Sequence, residues 1–190
     1  MDGEGRHYHT NVHLFEMFEW LDYLLGDLPA VVVFAVLFHD VVYDAKSGRN
    51  EEDSAEAWRM FFVEVKGLAG CGGDSCGGEE VDGFADKVYD YIIQTKAHKV
   101  LDNSDGVLQA FIDADMAVLG KRWDAYLAYN KLVRLEYAYI PDADFRVGRC
   151  NFLKKTVEGG GRIFATETMY GLLEERAKEN MGREGEMLLL

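Results

Sequence analysis

The residues of this chain best suited to chemistry are its five histidines, His7, His9, His13, His39 and His98, together with a few carboxylates set among apolar neighbours. Three of the histidines fall in RHYHTNVH (6–13), and His9 and His13 share a face if that segment is helical. His39 is followed at once by Asp40, and the doublet closes an apolar run that begins at Leu28. A charged pair there is costly unless something compensates it, and a bound cation is the economical compensation. The segment FIDADMAVLG (111–120) sets Asp113 and Asp115 among apolar residues, where an unpaired carboxylate is also expensive. His13, the His39–Asp40 doublet and one of these later carboxylates make a mixed nitrogen and oxygen donor set for a metal ion. His7 lies in a terminal stretch and is assigned to the surface.

The elements that must position these residues are helices. The 190-residue chain has only 2 Pro, and its apolar residues recur at helical spacing. Helices are expected at about 8–25, 29–45, 51–68, 84–97, 107–119, 121–139, 143–157 and 166–181. Val12, Phe15, Phe18, Leu21 and Leu25 give the first its stripe, and Gly26 stops it. Pro29 suits the first turn of the second, whose AVVVFAVLF is apolar nearly all round and belongs at the centre of a bundle. Glu51, Glu52 and Asp53 suit the N-terminus of the third. The stretch GLAGCGGDSCGGEEVDG (67–83) has low complexity and reads as a flexible loop insertion. A single all-α domain over 1–190, with no internal repeat, is the expected organisation.

Composition narrows the partners. Asp and Glu number 34 against 20 Lys and Arg, a net charge of −14, which disfavours a nucleic-acid polymer or an anionic membrane. Small anions can still enter a locally positive pocket. Cys71, Cys76 and Cys150 make no disulfide framework, and the C-x₄-C of the first two has no second pair to complete a zinc site. MDGEGRH lacks a signal-peptide apolar region, and no apolar run approaches the ~20 residues of a membrane span. A cytoplasmic protein is expected.

His13, His39–Asp40 and Asp115 resemble the signature of the HD-domain superfamily of metal-dependent phosphohydrolases: a His on one helix, a His-Asp doublet on another and a distant Asp. RHYHTNVH, LFHDVVYDAKSGRNEEDSA, IIQTKAH, FIDADMAVLG, YNKLVRLEY and EERAKENM are similar to one branch of it, with an R-x-YH-x-x-x-H opening. The resemblance runs from Arg6 to about Met181. It implies a helical bundle of five or more core helices around a metal site. It implies His13, His39, Asp40 and Asp115 as ligands of one divalent transition metal, with a second metal possible. Asp115 is favoured over Asp113 because the branch uses the Asp of an AD dipeptide, and the reverse order stays open. Members usually carry another helix before the opening motif, so a truncated or late-assigned start is expected where only five residues precede Arg6. The Gly-rich stretch is expected to be private to this chain.

Two imidazoles and two carboxylates suit Mn, Fe, Co, Ni or Zn. Four protein ligands leave positions on a six-coordinate ion for a water of lowered pKa and a phosphate oxygen. The implied activity is hydrolysis of a small phosphorylated compound, with a nucleotide among the candidates. His39 and Asp40, adjacent on a helix, point about 100° apart, so the metal must sit close against that helix. Glu51 is a candidate base, with a helix N-terminal charge as the even alternative. His98 is a candidate for phosphate or a second metal. Arg6, Lys96 and Arg134 are candidate phosphate-binding cations, Lys96 with a catalytic role. Arg134 with Glu136 and Tyr137 reads equally as a structural ion-pair set. His9 and Tyr43 are assigned to substrate, and Tyr43 and Asp44 to the same wall as Asp40. Phe15, Phe18, Trp20, Tyr126, Tyr129 and Tyr137 read as core and rim. Two other functions compete: a di-iron HD-type oxygenase using His9, His98 and Glu51 as spare ligands, and a non-catalytic metal- or nucleotide-binding regulatory module. The sequence sets no oligomeric state.

Overall fold

Apolar residues at helical spacing fold into helices throughout. A computed structural model describes residues 3, 5–68, 78–98, 105–158 and 161–189. The helices are α1 (Asn11–Leu25), α2 (Ala30–Phe38), α3 (Asn50–Leu68), α4 (Gly78–Thr95), α5 (Gly106–Met116), α6 (Trp123–Glu136), α7 (Asp142–Glu158) and α8 (Glu167–Leu188). A 3₁₀ turn, Ala117–Gly120, follows α5. The described residues contain no strand, and none of their helices is long and apolar enough to cross a membrane.

Local chemistry sets most boundaries. Gly26 ends α1 at φ +70°, where a side chain would be strained, and its N–H donates to Asp22 O. Pro29 precedes α2 and its carbonyl accepts from Val32 and Val33. Asp105 caps α5 by accepting from Val107 and Leu108, and Thr166 caps α8 by accepting from Met169.

Four boundaries depart from the sequence reading, the simplest being the last helix, which runs to Leu188 in place of about 181. The second helix stops at Phe38, not near 45, so His39 and Asp40 stand in the turn beyond it. The backbone there finds partners outside a helix. Arg6 donates to Asp40 O and Val41 O, and the Ser54 hydroxyl serves both the N–H and the carbonyl of Val42. The first helix starts at Asn11, so His9 and His13 share no helix. Helix also enters the Gly-rich stretch from both sides, through Leu68 and from Gly78, while Cys71, Cys76 and the centre of the expected insertion lie outside the described residues.

One buried apolar cluster draws on all eight helices. Its centre is α5, where Leu108, Phe111, Ile112 and Met116 are buried, in place of the α2 expected from its composition. α2 buries Val31, Val32, Ala35 and Val36 but exposes Leu37. Both α1 and α2 pack on α5, which brings one segment of each to the same place. Trp58 ties α3 to α4 by donating to Ala85 O.

The closing helix clamps the 3₁₀ turn. Arg176 donates to Gly120 O, and Asn180 donates to Leu119 O and Lys121 O. A Cβ on Gly120 would stand 2.6 Å from Leu173 Cβ, which is not the far end of a flexible side chain. Gly120→Ala is therefore expected to destabilise by about 1–3 kcal/mol, read as a lower urea midpoint with an unchanged m-value.

Candidate metal centre

Three elements deliver the donor atoms. α1 supplies His13, the turn after α2 supplies His39 and Asp40, and α5 supplies Asp115. One ligand atom from each of His13, His39 and Asp40 lies within 4.8 Å of the others. Asp115 Oδ1 stands 3.1 Å from His13 Nε2 and 3.9 Å from His39 Nε2. His39 Nε2 is 3.1 Å from Asp40 Oδ2. The doublet therefore converges instead of diverging by a helical step, because its second residue has left the helix.

Hydrogen bonds behind the rings orient them. His39 Nδ1 donates to Val36 O at 2.9 Å, which leaves Nε2 facing the carboxylates. That Nε2 is buried and forms no well-made hydrogen bond among the described residues. His13 Nδ1 lies 3.1 Å from the Tyr8 hydroxyl. Burial alone would lower the pKa of His39, but the charges of Asp40 and Asp115 hold it up at about 9. Burial pushes the other way on Asp40 and Asp115, and the surrounding imidazoles hold both below the ordinary carboxylate range. Two carboxylates thus compete for positive charge around a buried ring nitrogen, and the ring proton supplies that charge. This donor set fits a divalent cation, which would take the place of the ring proton.

Asp113 does a different job from Asp115. Its carboxylate accepts from Ala165 N, Thr166 N and the Thr166 hydroxyl at 2.6–2.8 Å, tying α5 to the start of α8. Of the two, Asp115 is the one beside the histidines.

Glu136 organises the opening segment. Its Oε1 accepts the backbone N–H of His7, Tyr8 and His9 at 2.8–3.0 Å. Its Oε2 is 2.8 Å from both His9 Nδ1 and the Tyr43 hydroxyl. Burial would raise this carboxyl, but the His9 side chain and the N–H donors hold it at about 2. Burial would lower His9, but the Glu136 hydrogen bond and the charge of Asp40 raise it above its ordinary value. Tyr43 stacks on the His9 ring at 4.3 Å. His98 lies in the turn after α4 at φ +47°, a costly conformation for a non-glycine residue, with Nδ1 3.8 Å from Asp115 Oδ2.

The other sequence candidates serve the frame. Arg6 gives its guanidinium to the carbonyls of His9, Asp40 and Val41. Lys96 pairs with Glu52 and Gly48 O, and Glu51 lies 3.9 Å from the Lys96 amine, so both belong to the α3–α4 contact. Arg134 donates to Tyr137 O, Ile140 O and Asp142, clamping the turn between α6 and α7. Asp44 exchanges backbone bonds with the Asn50 side chain at the start of α3, and its carboxylate accepts from Lys46 N–H.

Sequence reasoning overlooked Arg149. It lines a cleft of about 370 Å³ that His9 and His98 also line. Its signal was an arginine spaced at four and three residues from Phe145 and Phe152 on one helix face.

Glu136 makes a prediction about pH. Its folded-state pKa is depressed, so its stabilisation is present above the ordinary carboxylate range and is lost as pH falls toward about 2. Glu136→Gln is expected to cost about 2 kcal/mol at neutral pH. That deficit narrows as pH drops below about 4.5, measured by urea unfolding of both proteins. A deficit independent of pH contradicts the charged role.

The chain matches no protein-family model, no curated protein and no solved structure, so the centre is read from its own geometry.

Proposed function

We propose that this chain is a metal-dependent phosphohydrolase acting on a small phosphorylated compound, with a site of the HD type that its sequence motifs resemble. The observation that carries the reading is the convergence of His13, His39 and Asp40 within 4.8 Å, with an Asp115 oxygen beside both rings. His13 Nε2, His39 Nε2, Asp40 and Asp115 would hold one divalent transition metal, chosen from Mn, Fe, Co, Ni or Zn by their mixed nitrogen and oxygen character. A metal held there supplies an acidified water and a positive charge toward phosphate oxygens.

The chain's own groups do the rest. Val36 O and the Tyr8 hydroxyl fix the two ligand rings with Nε2 forward. Glu136 takes His9 Nδ1–H and favours the imidazolium, so Nε2–H is available to the leaving oxygen. As the phosphorus–oxygen bond breaks, that oxygen takes the His9 proton, and solvent restores it. His98 stands beside Asp115 and contributes a donor toward phosphate. The net charge of −14 favours a small substrate over a nucleic-acid polymer, and a cytoplasmic location belongs to the same reading.

One observation favours a second reading. Asp115 presents Oδ1 to His13 and Oδ2 to His98, an arrangement suited to bridging two metals, as a di-iron oxygenase requires.

Elemental analysis of chelator-free protein, paired with hydrolysis of a phosphoester panel, tests the proposal. About one equivalent of transition metal and metal-dependent phosphate release are expected in wild type. His39→Ala and Asp115→Ala lose both, whereas Asp113→Ala loses stability but keeps its metal. Full metal in His39→Ala overturns the site. About two equivalents of iron move the assignment to oxygen chemistry, and bound metal without turnover moves it to a regulatory module.

A further inference from the structure

The cleft beside the metal centre has a chemistry of its own. Tyr129 and Tyr137 line it from α6 and its end, and Phe145 and Phe152 line it from α7. Its volume of about 370 Å³ is that of a small-molecule site. His9 and His98 also line it, and His98 Nδ1 is 3.8 Å from Asp115 Oδ2, so the cleft is continuous with the metal centre. We propose that this cleft is the specificity pocket of the enzyme: it takes a flat aromatic or heteroaromatic ring carried by a phosphate monoester, Arg149 holds an oxygen of the ring-bearing group, and Gly148 sets the size of ring admitted. The placing of the phosphate rests on the phosphohydrolase reading; the ring pocket rests on the cleft.

Four observations converge. Phe145, Gly148, Arg149 and Phe152 fall on one face of α7, at steps of three and four. The Arg149 side chain is nearly enclosed, with Nε and Nη2 bound to Glu184 at 2.7 and 3.0 Å and Nη2 to Asn130 Oδ1 at 3.1 Å. Its Nη1 makes no hydrogen bond among the described residues, and the guanidinium lies 5.1 Å from the Phe152 ring centre and 5.5 Å from that of Tyr129. A donor fixed in this way loses little freedom when it binds.

Gly148 is the third observation. A glycine inside a helix is less stable there than alanine. Nothing in the backbone calls for one here, and a Cβ at Gly148 would meet no atom within 4 Å, so the room it leaves opens onto the cleft. The fourth is charge. Exposed Asp144 also lines the cleft and opposes further negative charge, which favours a substrate with a single phosphate group.

The test uses the full chain loaded with Mn, with 1-naphthyl phosphate and glycerol 3-phosphate as paired probes. Gly148→Leu fills the cleft at a helical position that accepts leucine. It is expected to lower the preference for 1-naphthyl phosphate, as a ratio of kcat/KM values, by about tenfold or more, mainly through KM. Val147→Leu, exposed on the same helix, keeps the wild-type ratio. An unchanged ratio in Gly148→Leu overturns the pocket. Calorimetric titration with 1-naphthyl phosphate separates this from failure of the hydrolase reading. Binding by wild type that Gly148→Leu weakens, without any turnover, sustains the pocket and sinks the hydrolase. Equal binding by both proteins sinks the pocket.

Discussion

Two carboxylates and two imidazoles share a space with little access to water, and the arrangement is tolerable only while positive charge stays among them. Asp115 lies between His13 and His39, and Asp40 lies against His39. Left alone, either carboxylate would be strongly disfavoured by burial. A proton on His39 meets the need in part, and a divalent cation meets it in full. The packing is arranged around this demand. α5 is the most enclosed helix, α1 and α2 lie against it, and the donors sit where the three come together.

The same constraint explains the supports. Nitrogen donors are useful only if the lone pair points inward, so each ring has a partner behind it: Val36 O for His39 and the Tyr8 hydroxyl for His13. Tyr8 is itself fixed, because its N–H and those of His7 and His9 converge on one Glu136 oxygen. Arg6 then ties this segment to the turn that carries Asp40. At the far side Asp113 holds the start of α8, and α8 holds the turn that follows α5. The motif segments are separated in sequence, and they meet through a connected set of polar contacts.

Much of this was legible in the sequence, for reasons that were local. Helical spacing, the Gly26 stop and the Pro29 start depend on neighbours in the chain, and each appears where expected. The cost of a charged pair at the end of an apolar run singled out His39 and Asp40, and donor type and the motif resemblance added His13; a ligand atom of each lies within 4.8 Å of the others, with Asp115 beside them. What stayed hidden depended on distant partners. The early end of α2 is set by Arg6 and Ser54, which replace the next helical turn. Glu136 looked like a partner for Arg134, whereas its hydrogen bonds go to backbone more than 100 residues away. Arg6 and Lys96 looked like free cations because carbonyl partners leave no trace in composition, and Arg134, also weighed as a structural ion pair, clamps carbonyls and Asp142 instead of Glu136. Arg149 drew no attention because its importance comes from a cleft that exists only once α6 and α7 are in place.

The central claim is the identity of the four residues around one cation. Crystals grown with Mn(II) and measured at the manganese absorption edge address it without reference to turnover. A single anomalous peak at about 2.0–2.3 Å from His13 Nε2, His39 Nε2 and carboxylate oxygens of Asp40 and Asp115 is the predicted result. A peak held by other residues, or no peak with those four side chains ordered, would contradict the account.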